Sequence, residues 1–170
     1  KVTNSPAPWP AFAEDERDAV NRVLTSGQVN YWTGDEGRGF EAEFAEALGV
    51  EHAVFVANGT LALELALRSL NLPAGSEVIT TPFTFIATSS AIVAAGLRPV
   101  FADVDADSGN IHPESIESAV TGQTSAILVV HLGGWPADMA GIQELCRARG
   151  FALVEDCAQA HGAKIAGQPV

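Results

Sequence analysis

The sequence predicts an α/β protein built on a mostly parallel sheet with helices on both faces. Three observations carry this. From residue 52 onward, short apolar runs alternate with amphipathic segments of helical length. The run at 151–154 lacks polar alternation, the mark of a strand buried on both faces. Gly, Pro, Asn or Asp punctuates most of the junctions between them.

Taken in order, residues 13–24 read as a helix, with Glu14, Asp15 and Glu16 in its first turn and Arg22 near its end, as the helix dipole favours. Residues 26–34 form a loop carrying Tyr31 and Trp32. Aromatics so placed either line a ligand site or, more commonly, pack on the surface. Phe40, Phe44 and Leu48 recur every fourth residue and predict a helix closed by Gly49. Strands are then expected at 52–57, 77–80, 98–102, 126–130 and 151–154. The intervening helices are 61–70, 85–95 ahead of Gly96, 113–120 with Pro113 at its first position, and one whose buried stripe is Met139, Ile142, Leu145 and Cys146. Five strands separated by four helices make βαβ units. Residues 163–170 look like the start of a hairpin. The expected division is 1–50, a helical segment with a loop, and 51–170, the α/β domain, which nothing at Val170 seals.

Composition narrows the function classes. The chain has 170 residues, 47% hydrophobic and 18% charged, enough to bury a core. A net charge of −12 argues against a nucleic-acid partner, which calls for a basic face. No apolar run reaches membrane-spanning length, and the first residues, Lys1 to Pro6, hold no apolar signal core. Cys146 and Cys157 are too few for a disulfide scaffold and do not have metal-knuckle spacing. A reduced, cytoplasmic protein is expected.

In an open α/β sheet, ligands bind at the carboxyl ends of the strands. The turns expected there are Asn58-Gly59-Thr60, Pro82 to Ile86, Asp103-Val104-Asp105, His131-Leu132-Gly133-Gly134 and Glu155-Asp156. Asn58-Gly59-Thr60 opens a helix after a strand, which suits either a phosphate site or a plain N-cap. Phe83 and Phe85 suit either stacking on a planar ring or, taken singly, the core. Asp156 suits either a cationic ring nitrogen or the cap of a following helical turn. Asp103 to Glu114 imitates a calcium loop, but Ser108 stands where the sharp turn needs Gly, so an Asp-rich turn is the better reading. His131 and His161 share this edge without metal-site spacing. No Gly-x-Ser-x-Gly elbow is present.

Together, a phosphate cradle, an aromatic plate and a carboxylate for a ring nitrogen match the needs of pyridoxal 5'-phosphate, whose ring must be anchored, oriented and kept protonated. The chain also resembles the DegT/StrS-like family of sugar aminotransferases, which have the aspartate aminotransferase fold, a three-layer sandwich. The resemblance runs through Ser26-Gly27, Gly34, Phe40-Glu41, Asn58-Gly-Thr-Leu-Ala-Leu63, Gly75-Ser-Glu-Val-Ile-Thr80, Thr84-Phe-Ile-Ala-Thr88, Phe101-Ala-Asp-Val-Asp105, Pro136-Ala-Asp-Met139 and Glu155-Asp-Cys-Ala-Gln-Ala-His-Gly-Ala163. It implies that Gly59 and Thr60 hold the cofactor phosphate, that Phe85 stacks on the pyridine, that Asp156 pairs with its nitrogen, and that Gln159 lies toward the ring hydroxyl. It implies transamination of a keto group on a nucleotide-linked sugar or cyclitol in amino-sugar biosynthesis, with glutamate as donor, in a homodimer. Family members with His in place of the Schiff-base lysine are dehydratases, and a non-catalytic phosphate-binding module is the reading from another class. The chain's only lysines are Lys1 and Lys164, and neither matches the family's Schiff-base lysine, which is expected beyond Val170.

Overall fold

A computed structural model describes residues 10–170; Lys1 and the amino-terminal stretch to Trp9 lie outside the described residues. Contacts divide the chain into a unit ending at Phe55 and a second unit, Val56–Val170, five residues beyond the boundary expected from the sequence.

The first unit holds helices α1 (Glu14–Ser26) and α2 (Glu36–Leu48). Glu16 accepts a hydrogen bond from the Ala13 N–H, and Gly27 and Gly49 close the two helices in the left-handed conformation. The loop between them is tied to α2. Tyr31 donates its hydroxyl to Glu41 at 3.0 Å and lies beneath the Arg38 guanidinium, 5.2 Å from the ring centroid. Glu41 also accepts the Phe55 N–H at 2.8 Å. Tyr31 therefore packs on its own helix, whereas Trp32 is 83% exposed.

The second unit is the α/β domain. In order it contains α3 (Gly59–Ser69), β1 (Glu77–Thr80), α4 (Ile86–Ala94), β2 (Arg98–Phe101), α5 (Pro113–Ala119), β3 (Thr124–Val130), α6 (Met139–Arg149), β4 (Ala152–Asp156), and a small antiparallel pair, β5 (Lys164–Ile165) and β6 (Gln168–Pro169). The four longer strands form one parallel sheet in the order β2-β1-β3-β4. Strand alternation splits its side chains into two cores. On one face Val78, Leu128 and Val130 meet Leu63 and Leu67 of α3 and Ala87, Ala91 and Ile92 of α4. On the other, Ile79, Ile127 and Val129 meet Ile116 of α5 and Met139, Ile142 and Cys146 of α6. The result is three layers, helices over sheet over helices.

Two expectations are corrected. Residues 52–57 form no strand: a strand needs a ladder partner, none of the described strands pairs with this segment, and Val54 and Phe55 are exposed. The sheet among the described residues therefore has four parallel strands, not five. Strand β4 is not buried on both faces. It pairs only with β3, lies at the sheet edge and is half-buried. It also runs two residues further than expected, so Glu155 and Asp156 belong to the strand, opposite Val129 and Val130.

The Asp-rich turn is local, as expected: Asp105 accepts the N–H groups of Asp107 and Ser108, and those bonds hold its carboxyl below the usual carboxylate range. The expected hairpin also forms, with Lys164 exposed on it.

Candidate active site

The strand order reverses direction between β1 and β3, and a cavity of about 230 Å³ lies at the carboxyl ends of β1, β3 and β4. Its wall includes Gly59, Thr60, Phe85, Asp156 and Gln159, with Thr84 and Val130 between them. Five residues singled out in the sequence, spread over a hundred positions, thus share one hollow.

Each reaches it for a local reason. Asn58 caps α3, its side-chain oxygen accepting the Leu61 N–H at 3.0 Å. The N–H groups of Gly59 and Thr60 precede the first helical acceptor, so no intrahelical bond uses them. Apart from its chain neighbours and its own helix backbone, no atom of the described residues lies within 4 Å of where a Cβ on Gly59 would sit. Packing and backbone strain do not demand this glycine; its missing side chain leaves space beside the helix terminus. The N-cap reading of Asn58-Gly59-Thr60 therefore holds, with the cap made by the Asn58 side chain and open N–H groups behind it.

Phe85 is the residue before the first turn of α4 and is 69% exposed, so it is not core. Phe83 is also exposed, but it lies against Gly109 and outside the cavity lining. Spacing alone did not separate the two rings.

Strand alternation divides the acidic pair. Asp156 shares a face with Val154 and Val130 and lines the cavity, whereas Glu155 points to the opposite face. Asp156 caps no helix: the residues after it form a turn, in which one carboxylate oxygen accepts the Ala158 N–H at 3.0 Å. The other oxygen has no hydrogen-bond partner among the described residues.

On the opposite face lies a pair the sequence did not reveal. His131 is fully buried, and its Nδ1 accepts the Ala137 N–H at 3.1 Å. That bond places the ring proton on Nε2, which donates to Glu155 at 3.1 Å. The His131 N–H also donates to the Asp156 carbonyl at 3.1 Å, so this residue ties the ends of β3 and β4 together. His131, Glu155 and Cys157 bring potential metal-ligand atoms within 4.8 Å of one another. The chemistry of the set does not suit a cation. Both imidazole nitrogens are engaged, and burial beside Glu155 and Asp156 pushes the Cys157 thiol up to about 11. The unbroken apolar run of β3 leading into His131 was the one available signal for this pair. His161 is exposed and outside the cavity lining.

Gln159 contributes from the turn after β4, and its Oε1 accepts the Gly133 N–H at 2.6 Å. The donors present fit a phosphorylated, cationic ring. Open helical N–H groups suit the phosphate, Phe85 offers a flat face, and the uncommitted oxygen of Asp156 suits a protonated nitrogen.

Sheet, helix layers and cavity define the α/β class that receives a ligand at the carboxyl ends of parallel strands. The chain belongs to the DegT/DnrJ/EryC1/StrS aminotransferase family, whose sequence profile matches residues 10–170. It is 51% identical over 151 residues to a UDP-N-acetyl-3-dehydro-alpha-D-glucosamine 3-aminotransferase of Acidithiobacillus ferrooxidans, a match covering 89% of this chain and 40% of the relative. An aminotransferase structure from Psychrobacter cryohalolentis superimposes with a TM-score of 0.94 at 54% identity, covering 96% of this chain and 42% of that one. A GDP-4-keto-6-deoxymannose-3-dehydratase, solved with a trapped PLP-glutamate geminal diamine, superimposes with a TM-score of 0.87 at 30% identity, covering 98% and 44%. The chain thus spans less than half the length of these relatives.

Proposed function

We propose that this chain is the cofactor-holding part of a pyridoxal-phosphate aminotransferase that acts on a keto group of a nucleotide-linked sugar or a cyclitol, with glutamate as amino donor. The observation that carries the reading is the shared cavity of Gly59, Thr60, Phe85, Asp156 and Gln159. When bound, the cofactor supplies an electron sink for transamination. In this reading the Gly59 and Thr60 N–H groups and the Thr60 hydroxyl anchor the phosphate at the positive end of α3. Phe85 covers one face of the ring. Asp156 holds the proton on the pyridine nitrogen by opposite charge, and Gln159 reaches the ring-hydroxyl side. The reading needs a nucleophilic lysine other than Lys164, which is exposed on the β5–β6 hairpin.

The full-length protein should be yellow, and borohydride should fix the colour covalently. Amino transfer from glutamate, followed across a panel of nucleotide-linked keto sugars, then gives the substrate. A colourless protein that takes up no added pyridoxal phosphate would sink the proposal. The likeness to the sugar dehydratase supports a second reading, dehydration on the same cofactor; loss of water from the keto sugar without net amino transfer distinguishes it. We further propose a cytoplasmic homodimer. The two free cysteines and the −12 charge are compatible with that compartment. Light scattering of the full-length protein tests the dimer, and a monomeric mass overturns it.

A further inference from the structure

The turn between β3 and α6 is held from three sides. Asn110, 3% exposed, accepts the Leu132 N–H at 3.1 Å and donates to the Trp135 carbonyl at 2.9 Å. His131 accepts the Ala137 N–H at the far end of the same turn. At its centre the Gly133 N–H meets Gln159 Oε1. Gly134 has φ +81°, and a Cβ there would lie 2.7 Å from the Gln159 carbonyl oxygen, so the turn sits directly against Gln159. A backbone N–H can only donate, so the atom facing Gly133 must be the amide oxygen. Gln159 is thereby left with its NH₂ as the group able to serve an occupant of the cavity it lines.

We propose that Asn110 and the Gly133–Gly134 turn are positioning residues, which lock the Gln159 amide so that it meets a bound ligand as a hydrogen-bond donor and not as an acceptor. The occupant must then present a hydrogen-bond acceptor toward the Gln159 NH₂. The proposal rests on the cofactor reading above, and neither Asn110 nor Gly134 lines the cavity.

The test is a double-mutant cycle in the full-length protein. Two quantities are read: the Kd for added pyridoxal 5'-phosphate and the absorption band of the bound cofactor. Asn110→Ala and Gly134→Ala should each raise the Kd about tenfold, the scale of one lost hydrogen bond, and shift the band. In a Gln159→Ala background either change should move the Kd by less than about twofold, because the path to the ligand is already cut. Gly134→Ala carries the test if loss of the buried amide prevents Asn110→Ala from folding. Unchanged Kd and band in the single variants overturn the proposal, as does an undiminished tenfold effect without Gln159. A wild-type protein that takes up no cofactor fails earlier and refutes the cofactor reading itself.

Discussion

The two ends of the parallel sheet each carry a carboxylate at the tip of a strand, and they use it in opposite ways. At the amino end, Glu77 of β1 is 3% exposed and saturated: Arg98 and Thr121 donate to it, and the Thr124 hydroxyl lies at 3.3 Å. At the carboxyl end, Asp156 of β4 accepts one backbone N–H and turns its remaining capacity toward a cavity. Burying a charge is costly unless hydrogen bonds and a counter-charge offset it. Glu77 meets that condition within the protein, whereas Asp156 keeps one oxygen without a partner among the described residues, at the wall of the cavity.

Four measurements would break or sharpen this contrast. The largest effect is expected from Asp156→Ala, which should lower transamination by the full-length enzyme at least about a thousandfold while moving Tm little, since only one turn bond is lost. Near-normal turnover would remove Asp156 from the site. Glu77→Ala should do the reverse. It should cost about 2 kcal/mol in urea denaturation, by removing the buried acceptor shared by the Thr121 and Thr124 hydroxyls and the half-exposed Arg98 guanidinium, and leave the cofactor Kd of the folded protein unchanged. Equal losses of affinity and stability would erase the distinction between the two ends.

Asn58→Ala lies between the extremes. Loss of the α3 cap should cost about 1 kcal/mol and, because the same turn borders the cavity, weaken cofactor binding a few-fold. A stability loss with unaltered affinity would detach the helix terminus from the site. The smallest signal is chemical. With its thiol at about 11, Cys157 is almost wholly protonated at pH 8. Its alkylation by iodoacetamide should be about a hundredfold slower than that of an unperturbed thiol and should accelerate as pH rises toward 11. Rapid labelling at pH 8 would contradict the burial that raises it.

Periodicity, turn chemistry and residue type were enough to place most of this chain. The helices, the strands 77–80 and 98–102, and the hairpin after Ala163 all follow from patterns of three to twelve residues. Four of the cavity-lining residues, Gly59, Thr60, Phe85 and Asp156, also stood out, because strand-to-helix turns converge on one sheet edge whatever the details of packing, whereas Gln159 was singled out only by the family resemblance. The tertiary structure decided what depends on a partner distant in sequence. Val54 and Phe55 have strand composition, but none of the described strands pairs with them. Phe83 and Phe85 are chemically alike, and only the packing of α4 and Gly109 assigns one to the cavity. Above all, the exact end of β4 settles which acid faces which layer. With a period of two, a shift of one residue would send Glu155 into the cavity and turn Asp156 toward His131. Residue type shows that an acid is present at a strand's end; only the register with β3, fixed by hydrogen bonds from a segment more than twenty residues away, says which acid faces the cavity.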